Sequence, residues 1–126
     1  MINSIKMKVW SREFTLPVDY DCLEDETPTQ DQIKALDEFL AHPERIDSAK
    51  AQLESYCKKQ VQEDDTNLKK DNVFSYVMPE TIFVKCGEAH PRVALLCKYR
   101  YDPEHGLAIV FQPNGKTQVG TQDIIL

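Results

Sequence analysis

The hydrophobic period of the sequence changes twice, and this change limits the possible folds more than any other feature. Near the N-terminus, apolar and polar residues alternate from Ile5 to Val9 and again from Phe14 to Val18. Strict alternation is typical of strands with one buried face. The first part of the chain therefore predicts two short antiparallel strands joined as a hairpin.

Residues 29–62 show a helical period instead, because their apolar side chains recur at spacings of three and four. A helix is predicted to start near Thr27, where Pro28 can take the first helical position and Thr27 with Gln30 fits a capping box. Thr29 with Gln32 offers the same box two residues later. Pro43 interrupts the periodic pattern and is well placed to open a second helix. We expect a hairpin of two amphipathic helices over this segment.

Alternation returns in the C-terminal half. After the polar segment 63–72, which we predict to be a linker or loop, residues 93–101 and 107–111 have the composition of strands. Asn114 followed by Gly115 is a strong hairpin signal. The sequence predicts an α+β fold, in which the N-terminal hairpin and a C-terminal meander form a mainly antiparallel sheet with the two-helix hairpin packed on one face.

The bulk properties predict one soluble domain. The chain has 126 residues, 41% hydrophobic and 29% charged, which is enough for one core across residues 1–126. No apolar run is long enough for a membrane span, and the N-terminus lacks the apolar segment of a signal peptide. We therefore expect a cytoplasmic protein whose cysteines are reduced thiols. They are Cys22, Cys57, Cys86 and Cys97.

The charge of the chain is uneven. Residues 1–71 carry 16 acidic and 10 basic residues, whereas residues 72–126 carry five of each, so the net charge of −6 belongs to the first part. Such a surface repels nucleic acid and anionic membranes and attracts a basic protein. The alternative to a partner-binding surface is a solvated acidic face that only keeps the protein soluble. The candidate partner-binding residues are Asp19, Asp21, Glu24, Asp25 and Glu26.

The segment Asp102-Pro103-Glu104-His105-Gly106 is the second candidate site. Asp, Pro and Gly suit the first, second and last positions of a tight turn, so turn chemistry explains three of the five residues. Glu104 and His105 are left over, and either would be tolerated at a solvated hairpin tip. The segment is therefore predicted to be chiefly structural.

A functional interpretation of this turn makes His105 a general acid or base that Asp102 or Glu104 orients near Tyr99. A third interpretation has Glu104 and His105 fold inward and anchor a neighbouring strand or loop. Because no nucleophile lies in a recognisable context, we assign no catalytic residue and favour a non-enzymatic protein.

Cofactor and metal sites are not predicted. Four ligands for zinc are present, but their spacing matches no closed zinc module. They are Cys86, His90, Cys97 and His105. Glu24 stands where a calcium loop needs glycine, and the four glycines form no phosphate-binding loop.

The stretches "YDPEHGLAIVF", "VGTQDI" and "TPTQDQIKALDEFL" resemble an uncharacterised family of small bacterial proteins known only as a domain of unknown function. The resemblance extends from about Val9 to Ile124, and Tyr101 stands where the family pattern has tryptophan. It implies a bacterial, cytoplasmic α+β domain without an established activity.

Two functions remain as hypotheses. The first is a non-enzymatic protein-binding domain, by analogy an immunity-type inhibitor of a basic partner. The alternative is a small ligand-binding domain or enzyme that uses Asp102, Glu104 and His105.

Overall fold

A computed structural model describes residues 4–22, 27–61, 73–87 and 89–126. Within these residues, six strands form one sheet, ordered as in the chain. They are β1 (Ser4–Val9), β2 (Arg12–Tyr20), β3 (Val77–Val84), β4 (Val93–Tyr99), β5 (Leu107–Phe111) and β6 (Thr117–Gly120). The helices α1 (Gln30–Ala41) and α2 (Glu44–Val61) lie between β2 and β3, and 3-10 helices occupy Val73–Ser75 and Gln122–Ile124.

Neighbouring strands are antiparallel except β2 and β3, which are parallel. Parallel neighbours need a long crossover, and α1 and α2 belong to that crossover. The predicted α+β fold, with its N-terminal hairpin and C-terminal meander, is confirmed. The segment predicted as a linker, 63–72, lies outside the described residues.

One face of the sheet, the helix face, packs against both helices. Ile82, Leu95 and Ile109 are cross-strand neighbours on it and are fully buried. Each helix contributes one apolar stripe to the same core, which is how an amphipathic helix is stabilised. Among the described side chains, the buried apolar residues of the helices are Leu36, Phe39, Ile46, Ala49, Leu53 and Cys57.

The first helix begins at the second of the two capping boxes. The Gln32 N–H donates to Thr29 Oγ1 at 3.1 Å, and the Thr29 N–H donates to Gln32 Oε1 at 2.9 Å. Thr27 and Pro28 therefore precede the helix. Within the described part of the chain, neither helix is long and apolar enough to cross a membrane.

The opposite face of the sheet carries a second, smaller core. Ala94, Ala108 and Val110 are fully buried there, and Ile125 from the end of the chain packs against them. This face is open to water where Lys98 pairs with Glu80 at 3.4 Å, with both side chains exposed, but the C-terminal residues cover part of the remainder.

The turn between β1 and β2 has two residues with positive φ, Trp10 at 49° and Ser11 at 73°. Two positive φ values are what a two-residue hairpin turn of type I′ requires, and glycine or asparagine usually supplies them. Trp10 is held there by its indole, whose Nε1–H donates to the Ile46 carbonyl at 2.8 Å in a buried hydrogen bond. This contact fixes the N-terminal hairpin to the start of α2.

Ser11→Gly should stabilise the fold by about 1 kcal/mol, because glycine adopts positive φ without the strain that a side chain causes. Urea denaturation followed by circular dichroism measures the change. The matched control is Ser4→Gly on β1, which should destabilise slightly because it only adds freedom to the unfolded chain. If Ser11→Gly unfolded at a lower urea concentration than the wild type, the backbone of Ser11 would not be strained.

Candidate functional site

The Asp102–Gly106 turn connects β4 to β5 and is built by its own backbone. The Asp102 N–H donates to the Tyr99 carbonyl at 3.3 Å, and the Gly106 N–H donates to the Asp102 carbonyl at 2.8 Å. Gly106 has a φ of +64°, which favours glycine. The Asp102 carboxylate accepts from the His105 N–H at 3.3 Å, as the sequence predicted for an aspartate at a turn start.

Asp102 and His105 also form a side-chain pair. His105 Nδ1 lies 3.0 Å and 3.2 Å from the two carboxylate oxygens of Asp102. The hydrogen bond to Asp102 raises the pKa of His105, and the negative charges of Asp102, Glu104 and Asp123 raise it further. A carboxylate on Nδ1 leaves Nε2 as the ring atom able to exchange a proton with a ligand.

The turn is anchored to the C-terminal 3-10 helix. The Gln122 N–H donates to the His105 carbonyl at 3.2 Å, and Gln122 Nε2 donates to the Cys97 carbonyl at 3.1 Å. A Cβ added at Gly106 would lie 2.6 Å from Gln122 Nε2. The backbone of His105, rather than its side chain, therefore makes the inward contact that we considered for this turn.

Tyr99 does not present its hydroxyl to His105. Tyr99 is 1% exposed and its hydroxyl is buried, whereas 56% of the His105 side chain is exposed. Burial raises the pKa of Tyr99, and the neighbouring Cys57 thiol adds to the shift. Tyr99 thus contributes its ring to the core and has no role in the chemistry of the turn.

The buried thiols are poor nucleophiles. Burial raises the pKa of Cys57 to about 11 and raises that of the fully buried Cys97 as well. Both thiols stay protonated at neutral pH, and the thiolate is the reactive form.

A cleft of about 360 Å³ lies beside the Asp102–Gly106 turn. Its lining includes Glu80, Lys98, Glu104, His105 and Gln122.

The four zinc-competent residues do not come together. Cys97 is buried, whereas Cys86, His90 and His105 are exposed. Among the residues that the structure describes, no group of three or more His, Cys, Asp or Glu side chains is placed to hold a metal ion.

The candidate acidic residues fall into two groups. Asp19 is exposed at the end of β2, whereas Asp21 is half-buried and lies 3.4 Å from Lys85 Nζ. Partial burial raises the pKa of Asp21, but hydrogen bonds from Cys86 and the charge of Lys85 outweigh it, so the pKa is lowered. Glu24, Asp25 and Glu26 lie outside the described residues.

Gln32 is a buried polar residue that the sequence marked only as a helix cap. It is 1% exposed, and its Nε2 donates to the Asp21 carbonyl at 2.9 Å and to the Val84 carbonyl at 3.3 Å. These bonds join α1 to the ends of β2 and β3. The only signal in the sequence was the capping box, which shows that Gln32 lies in the first turn but not that its amide is buried.

One family model matches the chain over residues 2–126, with the description Domain of unknown function (DUF6985). The chain belongs to this family. No curated protein and no solved structure shows significant similarity to it. This membership agrees with the resemblance to an uncharacterised family that the sequence shows. Two parts of that resemblance stay predictions: the bacterial origin of the protein, and the occurrence of the Asp102–Gly106 turn motif across the family.

Gly106→Ala should destabilise this DUF6985 domain by at least about 2 kcal/mol, because the new methyl group meets Gln122 and the backbone is strained. The control is Gly115→Ala, which has a φ of +86° but open space around it and should cost only about 1 kcal/mol. Urea denaturation compares the two. Equal losses would show that the contact between Gly106 and Gln122 contributes nothing.

The Asp102–His105 pair of the DUF6985 domain should make stability depend on pH. Because folding raises the His105 pKa, this contribution is fully present below the unfolded pKa and is lost as pH rises through the folded pKa. Asp102→Asn should bring the His105 pKa, measured by NMR titration of the ring protons, back towards its usual value. Glu104→Gln, the control in the same turn, should lower it less. An unchanged pKa in Asp102→Asn would contradict the pairing.

Proposed function

We propose that the protein is a non-enzymatic binding domain that holds a basic partner protein on an acidic surface, as an immunity-type inhibitor would. The acidic surface consists of Asp19 at the end of β2 together with Asp31 and Asp37 on α1. An inhibitor of this kind needs a complementary charged surface and no reactive group. The distribution of unpaired carboxylates at this end of the molecule carries the proposal.

The outward side of α1 is predominantly negative. Its exposed positions include Asp31, Asp37 and Glu38, against a single amine on Lys34. Glu38 lies 3.8 Å from Arg45, so its charge is partly balanced. A surface with an excess of one sign raises the local concentration of an oppositely charged partner and speeds association.

The negative charge of Asp37 acts on the last residue of β2. Burial raises the pKa of the Tyr20 hydroxyl, and the charge of Asp37 adds to the shift, so Asp37 lies near the last residue of β2. Asp19 is exposed one residue earlier. The connection from β2 to α1 carries three further carboxylates in the sequence, at Glu24, Asp25 and Glu26.

These carboxylates differ from Asp21 in their availability. Asp21 is engaged by Lys85 and Cys86, and a partner would have to displace them. Asp19, Asp31 and Asp37 have no ion pair within the part of the chain that the structure describes. A basic partner could bind them without breaking an existing contact, so we assign Asp21 a structural role and the other three the binding role.

The test is capture of a partner from the native host at low and at physiological salt. The wild-type protein should retain a basic protein, less at the higher salt because exposed charges are screened. The double variant Asp31→Lys with Asp37→Lys should lose that partner.

The matched control, Glu54→Lys with Glu104→Lys, makes the same change in net charge away from the acidic surface and should retain the partner. Equal capture by both double variants, or no capture by any protein at low salt, would exclude the acidic surface as the binding site.

A second candidate function, a small-molecule site at the Asp102–Gly106 turn, is favoured by the Asp102–His105 pair. Asp102 orients the imidazole and Nε2 remains available for a proton of the ligand. Glu104 and His105 both line the adjacent cleft. A ligand bound there would shift the NMR titration of His105.

A further inference from the structure

The outer edge of β1 is a surface separate from the acidic surface. The strand lies at one end of the sheet order and pairs with β2 on its inner side. Within the described part of the chain, no strand pairs with its outer side. An edge of this kind presents unpaired backbone groups to another chain.

The register of the hairpin tells which groups point outward. Val9 and Arg12 flank the two-residue turn, so they are a hydrogen-bonded pair, and such pairs alternate along antiparallel strands. Ser4 is opposite Pro17, which has no N–H to donate, and this agrees with the same alternation. The backbone groups of Ser4, Lys6 and Lys8 therefore point away from β2.

An apolar groove of about 600 Å³ runs beside this edge, under the junction of α1 and α2. Ile5 and Met7 are only half-buried and form its floor on the helix face. Apolar side chains from a strand added to β1 would alternate into this groove. The helix junction contributes Phe39, Leu40, Pro43, Ile46 and Asp47 to the lining, and the hairpin also contributes Lys6, Lys8 and Ser11.

The other face of β1 is basic. Lys6 and Lys8 lie on it. The Glu13 carboxylate lies 3.2 Å from Lys6 Nζ, and Glu13 is opposite Lys8 in the register without pairing with it. Lys8 has no ion pair among the described residues. An added strand would best place acidic side chains beside these lysines, since opposite charges on neighbouring strands stabilise a sheet.

We propose that β1 binds an extended segment of another protein, in which acidic residues alternate with apolar ones, by strand addition. The outward backbone groups of Lys6 and Lys8 supply the main-chain hydrogen bonds, the groove takes the apolar side chains, and the two lysines select the acidic ones. This surface is distinct from the acidic surface and does not depend on the function proposed above.

A second copy of the chain fits this edge poorly. Antiparallel pairing of two β1 strands about Lys6 or about Met7 would set lysine opposite lysine, and like charges directly opposite destabilise a sheet. Lysines on an edge strand are a known device against such self-pairing. The occupant is therefore a segment of opposite charge.

The probe is a capped peptide of about seven residues, a usual strand length, in which glutamate alternates with valine. A matched peptide carries lysine in place of each glutamate. Since the protein has a net charge of −6, general attraction favours the lysine peptide, so a preference for the glutamate peptide must come from local contacts. Binding is measured by NMR titration of the protein with each peptide. The rate at which the Lys6 and Lys8 amide protons exchange with solvent is measured in the same samples.

The glutamate peptide should slow exchange at Lys6 and Lys8 and bind more tightly than the lysine peptide. Lys8→Glu should weaken this binding about tenfold, because an attractive cross-strand pair becomes repulsive. The control Lys116→Glu makes the same charge change in the exposed turn between β5 and β6 and should bind like the wild type.

Three results would overturn the proposal. The first is equal or tighter binding of the lysine peptide. The second is an unchanged exchange rate at Lys6 and Lys8 with the glutamate peptide at millimolar concentration. The third is a dimer in sedimentation whose formation protects the same amides without any peptide, because the edge would then be occupied by a second copy.

Discussion

The buried amide of Gln32 is the interaction on which the arrangement of the fold depends. Its oxygen accepts the N–H of Thr29 at the start of α1, and its nitrogen donates to carbonyls of Asp21 and Val84. One side chain therefore satisfies the helix start and the point where the parallel strands β2 and β3 separate. A buried polar group left without a partner costs about 1–3 kcal/mol, so these contacts specify where the crossover begins.

The turn between β4 and β5 shows how residues associated with catalysis can be used for architecture. Asp102 caps the turn with its carboxylate, His105 accepts a hydrogen bond through its backbone carbonyl, and Gly106 provides space for Gln122. The group of this turn that is still able to exchange a proton with a ligand is the exposed imidazole of His105, whose Nδ1 is bonded to Asp102. The same residues therefore hold the end of the chain against the sheet and leave one polar ring at the surface.

Much of this architecture could be predicted from the sequence because it is encoded in local patterns. Alternation gave the hairpin of β1 and β2, the three-to-four spacing gave both helices, and Asn114 with Gly115 gave the turn between β5 and β6. The parallel pairing of β2 with β3 could not be predicted in this way. It joins residues more than sixty positions apart, such as Val18 and Ile82, and local periodicity carries no information on such pairs.

The candidate sites were predictable to a smaller extent. The sequence identified the Asp102–Gly106 turn and the acidic segment 19–26 as candidates, since the residues of each are contiguous. It could not separate Asp21, which Lys85 neutralises, from Asp19, because that difference arises from a residue that follows β3 and is distant in sequence. The groove beside β1 could not be predicted from the sequence either. The residues that the helix junction contributes to its lining are distant in sequence from Ile5 and Met7.

The position of Trp10 gives the molecule a built-in optical reporter. It is the single tryptophan of the chain, it is 7% exposed, and its indole hydrogen bonds to the carbonyl of Ile46. Indole emission depends on the polarity around the ring, so the wavelength of the emission maximum should change when α2 separates from the N-terminal hairpin. Trp10 also directly follows β1 in the chain, so its emission reports on the packing of the hairpin that contains the strand proposed to bind a partner.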